Sequence, residues 1–305
     1  MRYNLLLLFP LLSSLPFFDK CSNTDTKDPE TDMKTPVNVI ILSGQSNAAG
    51  CKASSNLLKT MPEKYDEYNE GYEGIKIAYN NWTVTQFISP PTPKALQSSS
   101  PDNKFVKVQL GQGNVAANFG PEVGMAEELH EKWGNKLFII KIPCGGSNLN
   151  DDWALETDQM YQAMVTFVEA KIKDLEDQGF APYLRAFCWM QGEGDSYPGY
   201  YPFYLDNLIQ FKRHLDNSFL KYTENNVLPF IDAGIGSGEG EWQYYQEVNQ
   251  QKQEFADMDP NHIYFDTVSE GIHSNQENPD KVHYDSESMI KLGHLFAKAY
   301  EKFLK

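Results

Sequence analysis

The chain has 305 residues, with 26 basic against 42 acidic side chains, a net charge of −16 and an isoelectric point near 4.8. A sheath for nucleic acid is excluded, because a polyanion is held by clustered cations that displace its counterions, and basic stretches such as Lys171 to Lys173 are interrupted and followed by acids. Hydrophobic residues at 41% and charged residues at 22% are those of a globular chain with a full core, which excludes disorder and fibrous repeats and fits an acidic exported protein acting on a neutral substrate.

Arg2 precedes the apolar run Leu5 to Phe18, which Pro10 and Pro16 break, so residues 1–20 are expected to be a signal peptide rather than a membrane span. Cys21 opens a polar stretch, 21–35, without apolar periodicity, expected to be a linker or tether. The arrangement resembles a bacterial lipoprotein, with Cys21 lipidated and holding the protein to a membrane. Lys20 stands where such signals carry a small residue, and simple secretion is the alternative. Either route predicts an exported protein, whether periplasmic, secreted or an outer-membrane lipoprotein. The remaining cysteines, Cys51, Cys144 and Cys188, are odd in number and form no Cys-x-x-Cys pair, so they indicate neither a disulfide framework nor a metal site.

Beyond the tether the elements follow in order. Val37 to Ser43 is a short continuous apolar run, the pattern of a strand covered on both faces. Residues 51–119 are too long for an ordinary connection and read as an insertion over the active face, with a hairpin over Ile75 to Phe87 turning at Asn80-Asn81 and a Pro and Ser cluster from Ser89 to Pro101. A helix over Pro121 to Trp133 leads to a strand over Lys136 to Ile142, then a helix over Tyr161 to Gln178 and a strand over Tyr183 to Met190. A helix over Tyr204 to Leu215, a strand over Val227 to Asp232, a helix over Trp242 to Phe255, a strand over Ile263 to Asp266 and a last helix over Asp285 to Lys305 complete the domain 36–305. Five strands alternating with helices predict a parallel sheet in an α/β sandwich, whose ligands bind beyond the carboxyl ends of the strands.

Those ends carry the reactive residue types. Ser46 follows the first strand where the chain turns into a helix, a position that exposes a hydroxyl and aims a backbone N–H outward; a plain helix cap has the same appearance. Gly145 and Gly146 follow the second strand, where missing side chains let a substrate approach the backbone. Gln191, Glu193 and Asp195 follow the third. His283, with Asp280 three residues earlier, precedes the final helix, and His273 is the other histidine on a loop. His130 has no second histidine three or four residues away, and no metal site is expected.

Gly44-Gln45-Ser46-Asn47, Gly120-Pro121-Glu122, Gly145-Gly146 with Trp153, Trp189-x-Gln191-Gly192-Glu193-x-Asp195 and Asp280-x-x-His283 stand in the order found in the SGNH hydrolase superfamily. More narrowly the chain resembles the sialate O-acetylesterase-like family, which includes the acetylxylan esterases of carbohydrate esterase family six. The resemblance implies a three-layer α/β/α sandwich with a flavodoxin-like sheet, and a cofactor-free removal of acetyl groups from the sugar hydroxyls of a polysaccharide or other glycan. It implies Ser46 as nucleophile, His283 as base, and Asp280 as the acid that orients His283, with Glu193 sharing or taking that role or else organising the Ser46 loop. It implies an oxyanion hole from the backbone of Ser46 and Gly145, or Gly146 in its place, and the Gln191 amide. Gln45, Asn47, Gly146 and Trp153 are expected to contact the substrate, and Tyr65, Tyr68, Tyr72, Tyr79 and Trp82 of the insertion to offer rings to the sugar or to form a satellite core beneath it. A catalytically silent glycan-binding protein on the same fold is the rival from another class.

Overall fold

The computed structural model describes residues 34–53, 57–85, 94–134, 136–274 and 280–303. The expected signal peptide, Cys21 and nearly all of the tether lie outside the described residues. The described residues belong to one compact unit. Its elements are β1 (Thr35–Gly44), α1 (Ser46–Ala49), α2 (Leu57–Thr60), α3 (Pro62–Glu70), β2 (Tyr72–Val84), β3 (Lys94–Ser99), β4 (Val106–Val108), α4 (Glu122–Trp133), β5 (Leu137–Gly145), α5 (Leu149–Asp152) and α6 (Gln159–Asp177). They continue with β6 (Phe180–Met190), α7 (Tyr204–Phe219), β7 (Phe230–Ala233), α8 (Tyr245–Asp257), β8 (His262–Phe265) and α9 (Ser286–Lys302).

The sheet runs β3-β2-β5-β1-β6-β7-β8, with β4 also on β2. The strands expected from sequence are β1, β5, β6, β7 and β8, and they stand second, first, third, fourth, fifth, which is the flavodoxin-like order. From β1 the chain crosses to β5 on one side and from β5 back over β1 to β6 on the other. Right-handed crossovers therefore place α4 and α6 on opposite faces of the sheet. Val37 to Gly44 is buried throughout, as a central strand covered on both faces must be. The α4 and α9 helices cross where Gly124 meets Gly293: a Cβ on Gly124 would lie 2.1 Å from the Ile290 carbonyl oxygen, so this approach requires glycine.

The insertion differs from its expected form. Residues Tyr72 to Val84 make one continuous strand, β2, which adds a sixth parallel strand beside β5 and pairs antiparallel with β3 and β4. No turn occurs at Asn80-Asn81. Asn81 is buried, and its Nδ2 reaches Ser98 Oγ at 2.9 Å and the carbonyls of Gln112 and Gly113 at 3.1 and 2.8 Å. An asparagine whose amide nitrogen is engaged by distant groups has no need of the local turn that its type favours in isolation. Tyr68, Tyr72 and Tyr79 are buried, so these rings belong to the core rather than to a sugar-facing surface. Cys144 and Cys188 are buried free thiols on β5 and β6, and Cys51 is a half-buried one.

Candidate active site

At the end of β1 the backbone of Gly44 lies against β6. Its φ is +137°, and a Cβ there would sit 2.0 Å from the Met190 carbonyl oxygen. The Gln45 N–H donates to that same carbonyl at 2.9 Å, after which the chain turns through α1. The turn closes on the Ser46 carbonyl, which accepts from Gly50 N at 3.0 Å and Cys51 N at 3.2 Å, with Gly50 left-handed at φ +85°. Ser46 is partly exposed within a stretch that is otherwise buried from Val37 to Gly50. Gly145, the last residue of β5, stands next to it: a Cβ placed on Gly145 would be 3.7 Å from Ser46 Cβ. Gly146 follows with φ +74° and partial exposure.

His283 reaches this end from the loop before α9. Its Nδ1 lies 2.7 Å from Asp280 Oδ2, and Asp280 Oδ1 accepts from the backbone N–H groups of Val282 and His283 at 3.1 and 3.0 Å. Burial alone would raise the Asp280 pKa, but the hydrogen bond and charge of His283, with the two backbone donors, hold the carboxyl below its usual range.

Asn47 joins these pieces. Its Nδ2 donates to Glu193 Oε1 at 2.9 Å and to the Val282 carbonyl at 3.3 Å, while its Oδ1 accepts from Tyr284 N at 3.1 Å. The residue after Ser46 is thus bonded to both chain neighbours of His283. Both of its N–H groups and its oxygen are engaged within the protein, which corrects the expectation that it contacts the substrate. Gln45 also turns inward, its carbonyl oxygen accepting from Gly194 N at 3.1 Å. Both amides satisfy groups that loop packing would otherwise leave without water or partner.

The loop after β6 is the third component. Glu193 is buried, and burial raises its pKa against the opposing bond from Asn47. Among the described residues its Oε2 has no hydrogen-bond partner. Gln191 is fully buried, with its amide nitrogen donating to Asp195 Oδ2 and its Oε1 accepting from Tyr204 Oη at 3.2 Å. Asp195 also accepts from Leu149 N at 2.7 Å and Asn150 N at 3.3 Å, so it anchors the loop that follows Gly145. Burial pushes the Asp195 pKa up to about 7 despite these donors. Trp153 is fully buried, packs edge-on against Trp189 at 5.3 Å and donates its indole N–H to Ser147 Oγ at 2.9 Å. Its ring supports the Gly145 loop from within, which corrects its expected place on the sugar.

Sequence reasoning missed Lys141, buried on β5. Its ammonium donates to Ala49 O at 3.0 Å, Gln112 O at 3.0 Å and Glu122 Oε2 at 2.8 Å, and so braces the Ser46 turn from below. A lysine inside the apolar run LFIIKI was the available signal, and the Glu122 of Gly120-Pro121-Glu122 is its partner. Among the described residues no group of three His, Cys, Asp or Glu side chains is placed to hold a metal ion.

The doubly wound sheet, with a serine at the end of its first strand and a histidine on the loop before its last helix, is that of an SGNH hydrolase. The family model described as carbohydrate esterase, sialic acid-specific acetylesterase, matches residues 36–302, and the chain belongs to that family of carbohydrate esterases. Among solved structures, a protein from Arabidopsis thaliana is similar at 20% identity and TM-score 0.60, over 88% of this chain and 98% of that one. NanS is similar at 14% identity and TM-score 0.60, over 89% and 98%. A carbohydrate acetylesterase from Xanthomonas citri is similar at 15% identity and TM-score 0.56, over 88% and 56%. These likenesses establish the fold. None of the curated proteins compared with the chain matches it.

Proposed function

We propose that the protein removes acetyl groups from sugar hydroxyls by a serine mechanism in which Ser46, His283 and Asp280 act in series. The observation that carries this reading is the Asn47 clamp, which ties the Ser46 turn to both sides of a histidine already bonded to a carboxylate. With Nδ1 engaged by Asp280, the Nε2 of His283 takes the Ser46 proton as Oγ attacks the ester carbonyl, and returns it to the departing sugar oxygen. Water then repeats the sequence on the acetyl-enzyme and releases acetate. The developing oxyanion is met by the backbone N–H groups of Ser46 and Gly145 and by the one Gln191 amide N–H that is not given to Asp195, each donor being worth about 2.7 to 4 kcal/mol by precedent. Asp195 orients that amide, and Glu193 acts on the serine turn through Asn47. The apolar run before Cys21 supports export, with Cys21 as the point of lipid attachment.

Acetate release from acetylated oligosaccharides and from a small acetyl ester tests the proposal. Ser46→Ala is expected to abolish both while leaving the circular dichroism spectrum unchanged, and near-parental activity in that variant would overturn the serine mechanism. Asp280→Asn is expected to lower kcat on the order of 10³ to 10⁴-fold by leaving His283 in the wrong tautomer. Glu193→Gln, which keeps an acceptor for Asn47, should cost less; the reverse ranking would make Glu193 the acid of the triad.

A further inference from the structure

Tyr68, Tyr72 and Tyr79 of the insertion lie in the core and Tyr65 and Trp82 pack half-buried against it, while the loops after β6 and β7 carry a further pair of rings at the active end. Tyr197, 41% exposed, stands four residues beyond Glu193, and its ring meets that of Trp242 at 90° with centroids 6.1 Å apart. The two loops are joined by a hydrogen bond from Tyr244 N to Ser196 Oγ at 2.9 Å. The second loop is joined in turn to the His283 loop by the ion pair of Lys281 with Glu239 at 3.1 Å. Trp242 lies directly on Gly238, where an added Cβ would be 2.6 Å from the indole, and Tyr201 stacks on Tyr244 at 4.2 Å just behind. The rings are therefore set by packing before any ligand arrives.

The charge that acts on Tyr197 is acidic. Glu241 is exposed and, after burial, is the cause that raises the Tyr197 pKa. The chain has three arginines, Arg2, Arg185 and Arg213, the side chains best shaped to hold a carboxylate. Arg185 is held by Asn38 and Glu224 toward the opposite end of the sheet, and Arg213 lies on α7 about 14 Å below its start. The lysine of the loop beside the rings, Lys281, is paired with Glu239.

We propose that Tyr197 and Trp242 form the platform on which sugar rings of the acetylated glycan stack, and that this rim selects an uncharged chain over a sugar bearing a carboxylate. The inference rests on the esterase reading for its place beside Ser46 and adds the class of substrate to it. Aromatic faces bind the apolar faces of pyranose rings, and Glu241 beside them repels an anionic sugar while leaving a neutral one unaffected.

The test compares the parent, Tyr197→Ala and Trp242→Ala on acetylated xylo-oligosaccharides, on O-acetylated sialic acid and on ethyl acetate, which has no ring to stack. In both variants KM for the oligosaccharide is expected to rise about tenfold with kcat little changed, and the effect on ethyl acetate is expected to be much smaller. The parent is expected to favour the neutral oligosaccharide over the sialic acid by at least tenfold in kcat/KM. Unchanged KM values in correctly folded variants, or a preference for the anionic sugar, would overturn the platform and leave the esterase reading intact. Should the parent release no acetate from any ester, the esterase reading fails instead. Calorimetric titration with xylohexaose, cellohexaose and mannohexaose then decides the platform: binding lost in Trp242→Ala supports it, and no binding to the parent overturns it.

Discussion

Lys141 on β5 and Lys252 on α8 are both fully buried amines paired with buried carboxylates, one beneath the Ser46 turn and the other beneath the Gln191 to Glu193 loop. Lys141 has a partner for each of its three hydrogens, and both oxygens of Glu122 are used, the second accepting from Gly120 N at 2.9 Å. Lys252 bonds Asp232 Oδ1 and the Ala233 carbonyl and faces the Tyr204 ring, but Asp232 Oδ2 has no partner among the described residues. A buried ion pair recovers its desolvation cost only when the remaining donors and acceptors are satisfied. The first pair meets that condition and behaves as a fixed brace. The second does not, and burial, only partly offset by Lys252, pushes the Asp232 pKa up to about 6. The same end of the sheet thus rests on one pair whose hydrogen bonds are complete and one whose carboxyl has its pKa pushed up to about 6.

Breaking the complete pair should have the largest effect. Lys141→Met leaves the buried Glu122 carboxyl without its partner, with an expected loss of about 3 to 5 kcal/mol in urea unfolding, and it frees the Ala49 carbonyl, so esterase activity should fall as well. Replacing both partners by apolar residues should recover much of the stability, since no charge is then left stranded. A Lys141→Met protein as stable as the parent would show that the brace contributes nothing.

Lys252→Met should cost less and depend on pH, because Asp232 can take up a proton. In the parent its folded pKa is raised above the ordinary 3.8, so the folded state holds the proton more tightly. The contribution of Asp232 to stability therefore falls as pH rises from about 4 through 6 and is level above that. Without the lysine the carboxylate is less tolerable still, so the deficit of the variant should be larger at pH 8 than at pH 5. A deficit independent of pH would assign Lys252 a packing role only.

The smallest effect is expected at a partly exposed cluster away from the site, which serves as a control for both pairs. Glu127 on α4 accepts from Tyr68 Oη at 2.7 Å and Lys64 Nζ at 2.8 Å and lies 2.7 Å from His294 Nε2. Burial raises its pKa, but these partners prevail and lower it to about 2. The stabilisation is present above about pH 4.5 and is lost as pH falls toward 2. Glu127→Gln should cost on the order of 1 kcal/mol at pH 7 and converge with the parent in acid; a gap that persists at pH 2 would remove charge as its cause.

Sequence by itself determined the elements whose causes are local. Apolar runs and helical stripes marked β1, β5, β6, β7 and β8 and the helices between them, since burial on two faces or one leaves its period in the chain. Asp280 and His283 were legible as a pair because three residues of loop let one carboxylate cap the intervening N–H groups and meet the imidazole. Only the tertiary structure decided the rest. β2 is a strand of the main sheet because its neighbour β5 offers an unpaired edge, and nothing within residues 72–84 encodes that edge. Asn47 and Glu193 are 146 residues apart in sequence yet bonded, and Asn47, Gln45 and Trp153 face inward instead of toward a ligand. An amide or an indole N–H orients toward whichever buried polar groups lack a partner once the loops have met, and that deficit comes into being only when the chain is folded.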